Sequence, residues 1–229
     1  MNEPLCDNHP QIKICGLTRP EEAAACAAAG ANAIGLVFYP PSPRNVTETQ
    51  ARRICDALGP RTATVGVFVN ESLDTILEKA RRCRLSAVQL HGQEPPELGA
   101  QLADAGLAVI RGLYLHGDPP VSAMERYPAT AYLVECGGGK LPGGNARTWD
   151  WGAARAWAAR RPVVIAGGLD PDNVARAIAE AGPAAVDVSS GVEQAPGSKD
   201  IRKVTRFIRA VRGCPRSERS GPIFTCNPS

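Results

Sequence analysis

Ile12-Lys13-Ile14-Cys15-Gly16-Leu17-Thr18 joins a short apolar run to the start of a helix, with a thiol at the junction. A strand that runs straight into a helix is the repeating unit of α/β folds. The side chain at the junction faces whatever the strand ends enclose. The fold therefore turns on whether the chain repeats this unit often enough to close a barrel, which would put Cys15 on the catalytic rim.

Outward from Gln11 to Cys15, seven more strand candidates follow: Ala33 to Phe38, Thr62 to Val69, Ala87 to Leu90, Ala108 to Leu113, Ala131 to Glu135, Pro162 to Ala166 and Ala185 to Val188. Helix-period segments alternate with them in units of roughly 20 to 30 residues, the size of a βα repeat. Thr18 and Glu21 have capping-box spacing, with Pro20 in the first turn and Gly30 as a left-handed stop. Asn70 is the predicted cap of a helix whose Leu73, Ile76, Leu77, Ala80 and Cys83 share one face. Asp170-Pro171 opens a helix ending near Gly182, and Ile201, Val204, Ile208 and Val211 line one side of the last, away from Arg202, Arg206 and Arg209. The fifth unit is the weakest, because Pro119 to Pro128 leaves room only for a short helix. Strands that are apolar throughout suit parallel pairing under helices. The expectation is α/β: a single (βα)8 TIM barrel with a parallel eight-stranded core over residues 11–212, followed by a disordered tail over 213–229. An open doubly wound sheet is the competing architecture; it would bind ligands where strand order reverses.

Composition is compatible with one large soluble domain: 229 residues, 44% hydrophobic and 21% charged. No apolar run approaches the roughly 18 residues that a membrane span needs. Met1 to Pro10 lacks the pattern of a secretory signal, so a cytoplasmic location and reduced cysteines are expected. Cys26 and Cys83 fall on apolar helix faces and read as core. The net charge is +3, but residues 199–219 carry eight Lys or Arg against two Asp or Glu. That stretch reads as the solvated side of a helix rather than a nucleic-acid surface, and 5% aromatic content offers little for base stacking. The expected partner is a small phosphorylated molecule, with neither nucleic acid nor membrane. Oligomeric state is not legible.

The binding signal lies in two turns, Ala166-Gly167-Gly168-Leu169-Asp170 after strand seven and Asp187-Val188-Ser189-Ser190-Gly191-Val192-Glu193 after strand eight. In barrels a phosphate frequently sits between these two loops, held by backbone amides that glycine lets approach. Either turn alone reads as a tight turn needing glycine for geometry; the pair points to phosphate. His9, His91 and His116 are scattered, no cysteine pair has metal-ligand spacing, and there is no dinucleotide fingerprint, so no cofactor is expected. Gly137-Gly138-Gly139 and Gly143-Gly144 mark a flexible active-site loop.

The runs Lys13-Ile14-Cys15-Gly16-Leu17-Thr18, Gly35-Leu36-Val37-Phe38-Tyr39, Ser42-Pro43-Arg44, Val65-Gly66-Val67-Phe68-Val69-Asn70, Val88-Gln89-Leu90-His91-Gly92 and Asp187-Val188-Ser189-Ser190-Gly191-Val192-Glu193 together resemble the phosphoribosylanthranilate isomerase family of tryptophan biosynthesis, in order from about Ile12 to Arg212. The resemblance implies an Amadori rearrangement of N-(5-phosphoribosyl)anthranilate, which needs one acid and one base. It makes Cys15 the base, Arg44 the grip on the anthranilate carboxylate, and Gly167, Gly168, Ser189, Ser190 and Gly191 the phosphate site. His91 and Asp187 shape the pocket or stand behind it. Without the surrounding motifs Cys15 would read as a core cysteine and Arg44 as a solvated loop residue.

The chain departs from the family at its acid. The family has an aspartate at the end of strand six; Tyr132-Leu133-Val134-Glu135-Cys136 has Glu135, which keeps the carboxyl but moves it by about an ångström, a scale of misplacement that can cost on the order of 100-fold. The loop that follows is about one residue longer before Asp150 and has Ala146 where a second glycine is usual. Glu135 is assigned as the acid, against an alternative in which it salt-bridges a rim arginine. Two other functions stay open at this point: a related phosphosugar isomerase of histidine biosynthesis, which Cys15 disfavours, and a phosphate-binding pseudoenzyme weakened at Glu135.

Overall fold

The computed structural model describes residues 9–137, 148–215 and 222–225. Strand and helix alternate as β1 (Gln11–Cys15), α1 (Pro20–Ala29), β2 (Ala33–Phe38), α2 (Glu48–Asp56), β3 (Ala63–Phe68), α3 (Leu73–Cys83), β4 (Ala87–Leu90), α4 (Pro96–Asp104), β5 (Ala108–Tyr114), β6 (Ala131–Glu135), α5 (Arg155–Ala158), β7 (Val163–Ile165), α6 (Val174–Ala181) and β8 (Ala185–Val188). A small antiparallel hairpin, β9 (Glu193–Ala195) and β10 (Ser198–Lys199), precedes α7 (Ile201–Arg212). The first eight strands pair in parallel and in chain order, and β8 returns to β1, so the sheet is a closed TIM barrel and the open alternative is excluded. Among the described residues no helix is long and apolar enough to cross a membrane.

Alternation along each strand divides the core in two. Ile12, Ile14, Ile34, Leu36, Val88 and Leu90 face the helices and belong to the large outer cluster. Val65, Ile110, Leu133 and Val164 fill the interior. Between β5 and β6 the proline-bounded segment forms only a 3-10 turn, Val121–Arg126, as the sequence suggests. Cys26 and Cys83 are buried, as expected of core cysteines.

Local caps differ from expectation where tertiary contacts compete. Thr18 does not cap α1; its hydroxyl donates to the Gly197 carbonyl at 2.7 Å, and Arg19 occupies the cap position without a side-chain bond. Asn70 is left-handed (φ 52°), and its side-chain oxygen accepts from the Gln93 amide at 2.7 Å, so Ser72 caps α3 instead. Helix α2 carries a capping box, Thr47 with Gln50. Gly30 ends α1 in the left-handed conformation, as expected; α6 begins at Val174 rather than at Asp170-Pro171 and ends, where the sequence placed its end, at a left-handed Gly182. In the basic stretch, Arg202, Arg206 and Arg209 are exposed, but Lys199 is buried in an ion pair.

Disorder throughout 213–229 does not hold for Pro222 to Thr225. Six of the eight barrel strands begin with alanine (Ala33, Ala63, Ala87, Ala108, Ala131 and Ala185), which leaves the N-terminal mouth underfilled. Ile223 and Phe224 pack into the same cluster as these alanines. Gln11 holds them: its amide oxygen accepts from the Ile223 and Phe224 amides at 2.6 and 2.9 Å, and its nitrogen donates to the Phe224 carbonyl at 3.0 Å. An isolated Ile-Phe pair in a polar tail has no periodicity to reveal this. Burying a large apolar side chain stabilises by roughly 1.5–3 kcal/mol. Phe224→Ala is expected to cost about 2 kcal/mol, lowering the melting temperature by roughly 4–8 °C, with turnover at the opposite end of the barrel unchanged. Differential scanning calorimetry beside a steady-state assay checks both halves.

Candidate active site

One pocket opens at the C-terminal ends of the strands, and its walls include Cys15, Arg44, Glu135, Gly167, Gly168, Asp187, Ser189 and Ser190. Of the sequence-derived candidates Gly191 alone does not line it. A Cβ at Gly191 would lie 1.9 Å from the Leu169 carbonyl oxygen, so that glycine lets the two rim turns touch. Gly138, Gly139, Gly143, Gly144 and Ala146, expected in a flexible loop, lie outside the described residues.

Strand β1 points Lys13 and Cys15 inward, two residues apart on one face. Opposite them β2 has Gly35, where a Cβ would stand 2.7 Å from Cys15 Sγ and 3.1 Å from Lys13 Cε. Glycine is thus a steric requirement for the thiol and the lysine to sit side by side. Lys13 is fully buried, and its Nζ meets Asp187 Oδ1 on the neighbouring β8 at 3.0 Å. Burial pushes the Cys15 thiol up, Lys13 and Lys199 pull it back and Asp187 opposes them; the balance lies above the ordinary thiol range.

Arg44 arrives from the loop after β2 and lies across Gly16, which is left-handed (φ 77°) and whose Cβ would meet Arg44 Cδ at 2.5 Å. Its guanidinium is tethered: Nε and Nη2 donate to Glu193 Oε1 and Oε2 at 2.8 and 2.7 Å. Lys199 Nζ bonds the same Glu193 at 2.8 Å and also reaches Ser189. Burial alone would raise the Glu193 carboxyl, but the Arg44 hydrogen bond and the Lys199 charge bring it below the usual range. Burial draws Lys199 down from the ordinary lysine value, with Glu193 resisting.

Glu135 ends β6 on the far side of the pocket. Its Oε1 is buried without a hydrogen-bond partner, and the group facing it is not an arginine but His91, with Nε2 3.6 Å away. Arg111, on the adjacent β5, alternates to the outer side, where it pairs with Glu94 and donates to the Gly92 carbonyl at 2.9 Å. Glu94 in turn accepts from the Gly92 and Asn70 amides, so the loop carrying His91 is pinned from both sides.

After β7, Gly167 and Gly168 are both left-handed, with φ of 84° and 66°. The turn is held by Trp149 Nε1 donating to the Ala166 carbonyl and Asn173 Nδ2 donating to the Gly168 carbonyl, each at 2.8 Å. Ser189 and Ser190 follow β8, the neighbouring strand, and line the pocket beside this turn. Sequence reading missed Lys13, Gln89 and Lys199 as parts of the site and saw no role for Glu193. A charged residue two positions before Cys15 was a signal for Lys13; Lys199 carried none, because it merges with the basic run of α7.

The model describing N-(5'-phosphoribosyl)anthranilate (PRA) isomerase matches residues 12–210. A protein of that name from Desulfatibacillum aliphaticivorans is 54% identical over 199 residues, 87% of this chain and 91% of the relative. One from Geobacter metallireducens is 42% identical over 88% of this chain and 98% of its own length. Among solved structures, the phosphoribosyl anthranilate isomerase of Thermotoga maritima superposes with a TM-score of 0.80 at 40% identity, covering 89% of this chain and 99% of the other. An isomerase solved in complex with reduced 1-(o-carboxyphenylamino)-1-deoxyribulose 5-phosphate superposes with a TM-score of 0.77 at 38% identity, over 89% and 99%. Sequence kinship across all eight strands, on a barrel whose rim presents a thiol opposite a carboxyl, leaves one conclusion: the chain belongs to the phosphoribosylanthranilate isomerase family and has that isomerase activity in tryptophan biosynthesis.

Proposed function

We propose that in this chain Cys15 is the base and Glu135 the acid of the Amadori rearrangement of N-(5-phosphoribosyl)anthranilate. The observation that carries the assignment is their placement: a thiol on β1 and a carboxyl on β6 face one pocket, with the Gly167-Gly168 and Ser189-Ser190 turns between them on the rim. The Glu135 carboxyl donates its proton to the furanose ring oxygen as the C1′–O bond breaks, and the nitrogen lone pair forms the C1′=N iminium. The iminium acidifies C2′. The Cys15 thiolate then removes the C2′ proton, the released pair forms the C1′=C2′ bond, and the C=N electrons return to nitrogen. Protonation at C1′ and loss of the C2′ hydroxyl proton give the aminodeoxyribulose phosphate. No proton is gained or lost overall.

Binding is divided among the remaining candidates. Backbone amides of Gly167, Gly168, Ser189, Ser190 and Gly191 hold the phosphate, which the two turns suit because left-handed glycines present amides without side-chain obstruction. Arg44 grips the anthranilate carboxylate; with Nε and Nη2 engaged by Glu193, the remaining Nη1 edge meets the ligand on a guanidinium already oriented. Asp187, tied to Lys13, supplies an acceptor at the wall beside Cys15. The relative solved in complex with reduced 1-(o-carboxyphenylamino)-1-deoxyribulose 5-phosphate, a ligand carrying both a phosphate and a carboxylate, supports this reading.

Loss of anthranilate fluorescence follows turnover. Cys15→Ser and Glu135→Gln are each expected to lower kcat by roughly 10²–10⁴-fold, the range of one general acid or base, while the reduced product analogue still binds. Wild-type turnover by Glu135→Gln would return Glu135 to a packing role.

The thiol's raised position sets the pH profile. Only thiolate is a base, so kcat/KM is expected to rise with pH until the Cys15 titration is complete, and to lose this limb in Cys15→Ser. Iodoacetamide is expected to alkylate Cys15 more slowly at pH 8 than it alkylates a free model thiol, as mass spectrometry of the modified peptide would measure. Arg44→Ala is expected to raise KM by roughly 10- to 100-fold, the worth of a hydrogen bond to a charged group, with a smaller change in kcat.

A further inference from the structure

Behind Glu135 lies a second, unassigned arrangement. Gln89 points into the barrel from β4 and His91 follows two residues later on the same side, both against the pocket that Glu135 lines. His91 is buried, and both its backbone and its ring are held. Tyr114 Oη donates to the His91 carbonyl at 2.9 Å, the Tyr114 ring packs tilted against the imidazole at 5.9 Å, and Gly112 offers bare backbone where a Cβ would stand 2.6 Å from Nδ1. Gln89 Nε2 lies 3.2 Å from His91 Nδ1. An amide nitrogen can only donate, so with the amide oriented this way Nδ1 accepts and the ring proton sits on Nε2. That Nε2 faces Glu135 Oε1 at 3.6 Å, and Oε1 is buried with no hydrogen-bond partner.

We propose that Gln89 and His91 are positioning residues that fix the acid proton of Glu135 on the oxygen facing the substrate, a role that rests on the reading of Glu135 as the acid. A carboxylic acid carries its proton on one oxygen. With the His91 Nε2–H directed at Oε1, that oxygen is the acceptor and the proton belongs on Oε2. The 3.6 Å separation is longer than a formed hydrogen bond, and the proposal requires the pair to tighten as substrate binds, as catalytic hydrogen bonds do. After Oε2 has protonated the furanose oxygen, the same N–H stabilises the carboxylate left behind. The glutamate matters here: an aspartate at 135 would hold its carboxyl one methylene further from the ring. The family's usual acid would be less able to use this donor.

Two measurements on the full chain test the proposal. In ¹⁵N-histidine spectra at neutral pH, with the His91 signal identified by its loss in His91→Leu or His91→Gln, the wild-type protein is expected to show the Nε2–H tautomer. An Nδ1–H tautomer would mean the opposite Gln89 orientation and would overturn the proposal. In kinetics, His91→Leu is expected to lower kcat about tenfold or more, the worth of one hydrogen bond to a charged group, with KM changed less than about twofold. His91→Gln, whose Nε2 restores a donor near the same point, should recover most of that loss. The loss should also shrink in a Glu135→Asp background. Equal impairment by Leu and Gln, or a wild-type kcat in His91→Leu, overturns the pairing. Should His91→Leu fail to fold, Gln89→Met decides through the tautomer and kcat together: both must change for the proposal to stand. If Glu135→Gln itself turns over normally, the acid assignment has failed; if Glu135→Gln is inactive while His91→Leu is not, only the pairing has.

Discussion

The ion pair between Lys13 and Asp187 crosses the seam where β8 closes onto β1, and the active end of the barrel is organised around it. Both residues point inward in the same register, so the contact forms only if the sheet closes with this stagger. Burying two charges costs several kcal/mol per ion in desolvation, and a lone buried charge is worse still; removing one partner of such a pair typically destabilises by roughly 3–5 kcal/mol. The pair is therefore weak as a source of net stability and strong as a filter on register. It also stands directly beneath Cys15, which shares its strand face with Lys13 and its gap with Gly35.

Above that pair the rim continues as interleaved charge. Arg44, Glu193 and Lys199 form a second buried group, brought together from the β2 loop and the β9–β10 hairpin. Its effect is to hold Arg44 rigid before a ligand arrives, which reduces the conformational entropy lost on binding. The cations on this side of the pocket pull against the burial that keeps Cys15 protonated. On the opposite side the carboxyl of Glu135 has His91 Nε2 3.6 Å away and shares its wall with Gln89, so the thiol and the carboxyl that we propose as base and acid sit in different electrostatic surroundings. Surroundings that differ in this way are what the proposed pairing of a base with an acid in one site requires.

The other end of the barrel answers a packing requirement. Six strands open with alanine, and interiors do not tolerate voids of the size these leave. The chain supplies the missing volume from its own C-terminal Ile223 and Phe224, with Gln11 satisfying the backbone they bury. A single polar side chain serves as the adaptor between strand β1 and a segment more than two hundred residues away in sequence. Stability is thus built at the N-terminal face and chemistry at the C-terminal face, the division common to barrels.

Sequence alone determined the strand and helix alternation and the two glycine-bearing turns after strands seven and eight, because each rests on short-range signals: apolar runs, glycines at strand ends, and caps within a few residues; the barrel was the expectation, and its closure of β8 onto β1 excluded the open sheet. Cys15, Arg44 and Glu135 were legible because motif neighbours accompany them. What only the tertiary structure decided is everything whose partner lies on a distant strand. Lys13 is buried beneath the pocket because Asp187 is its neighbour across the seam, Lys199 is buried because Glu193 lies across a hairpin, and His91 faces Glu135 because that residue ends a strand two places round the barrel. Thr18 and Asn70, sound caps by local rule, were taken by longer-range hydrogen bonds. Period and propensity act over a few residues, whereas ion pairs, desolvation and cavity filling act between whatever surfaces the closed barrel brings together; the second set is invisible until the fold exists.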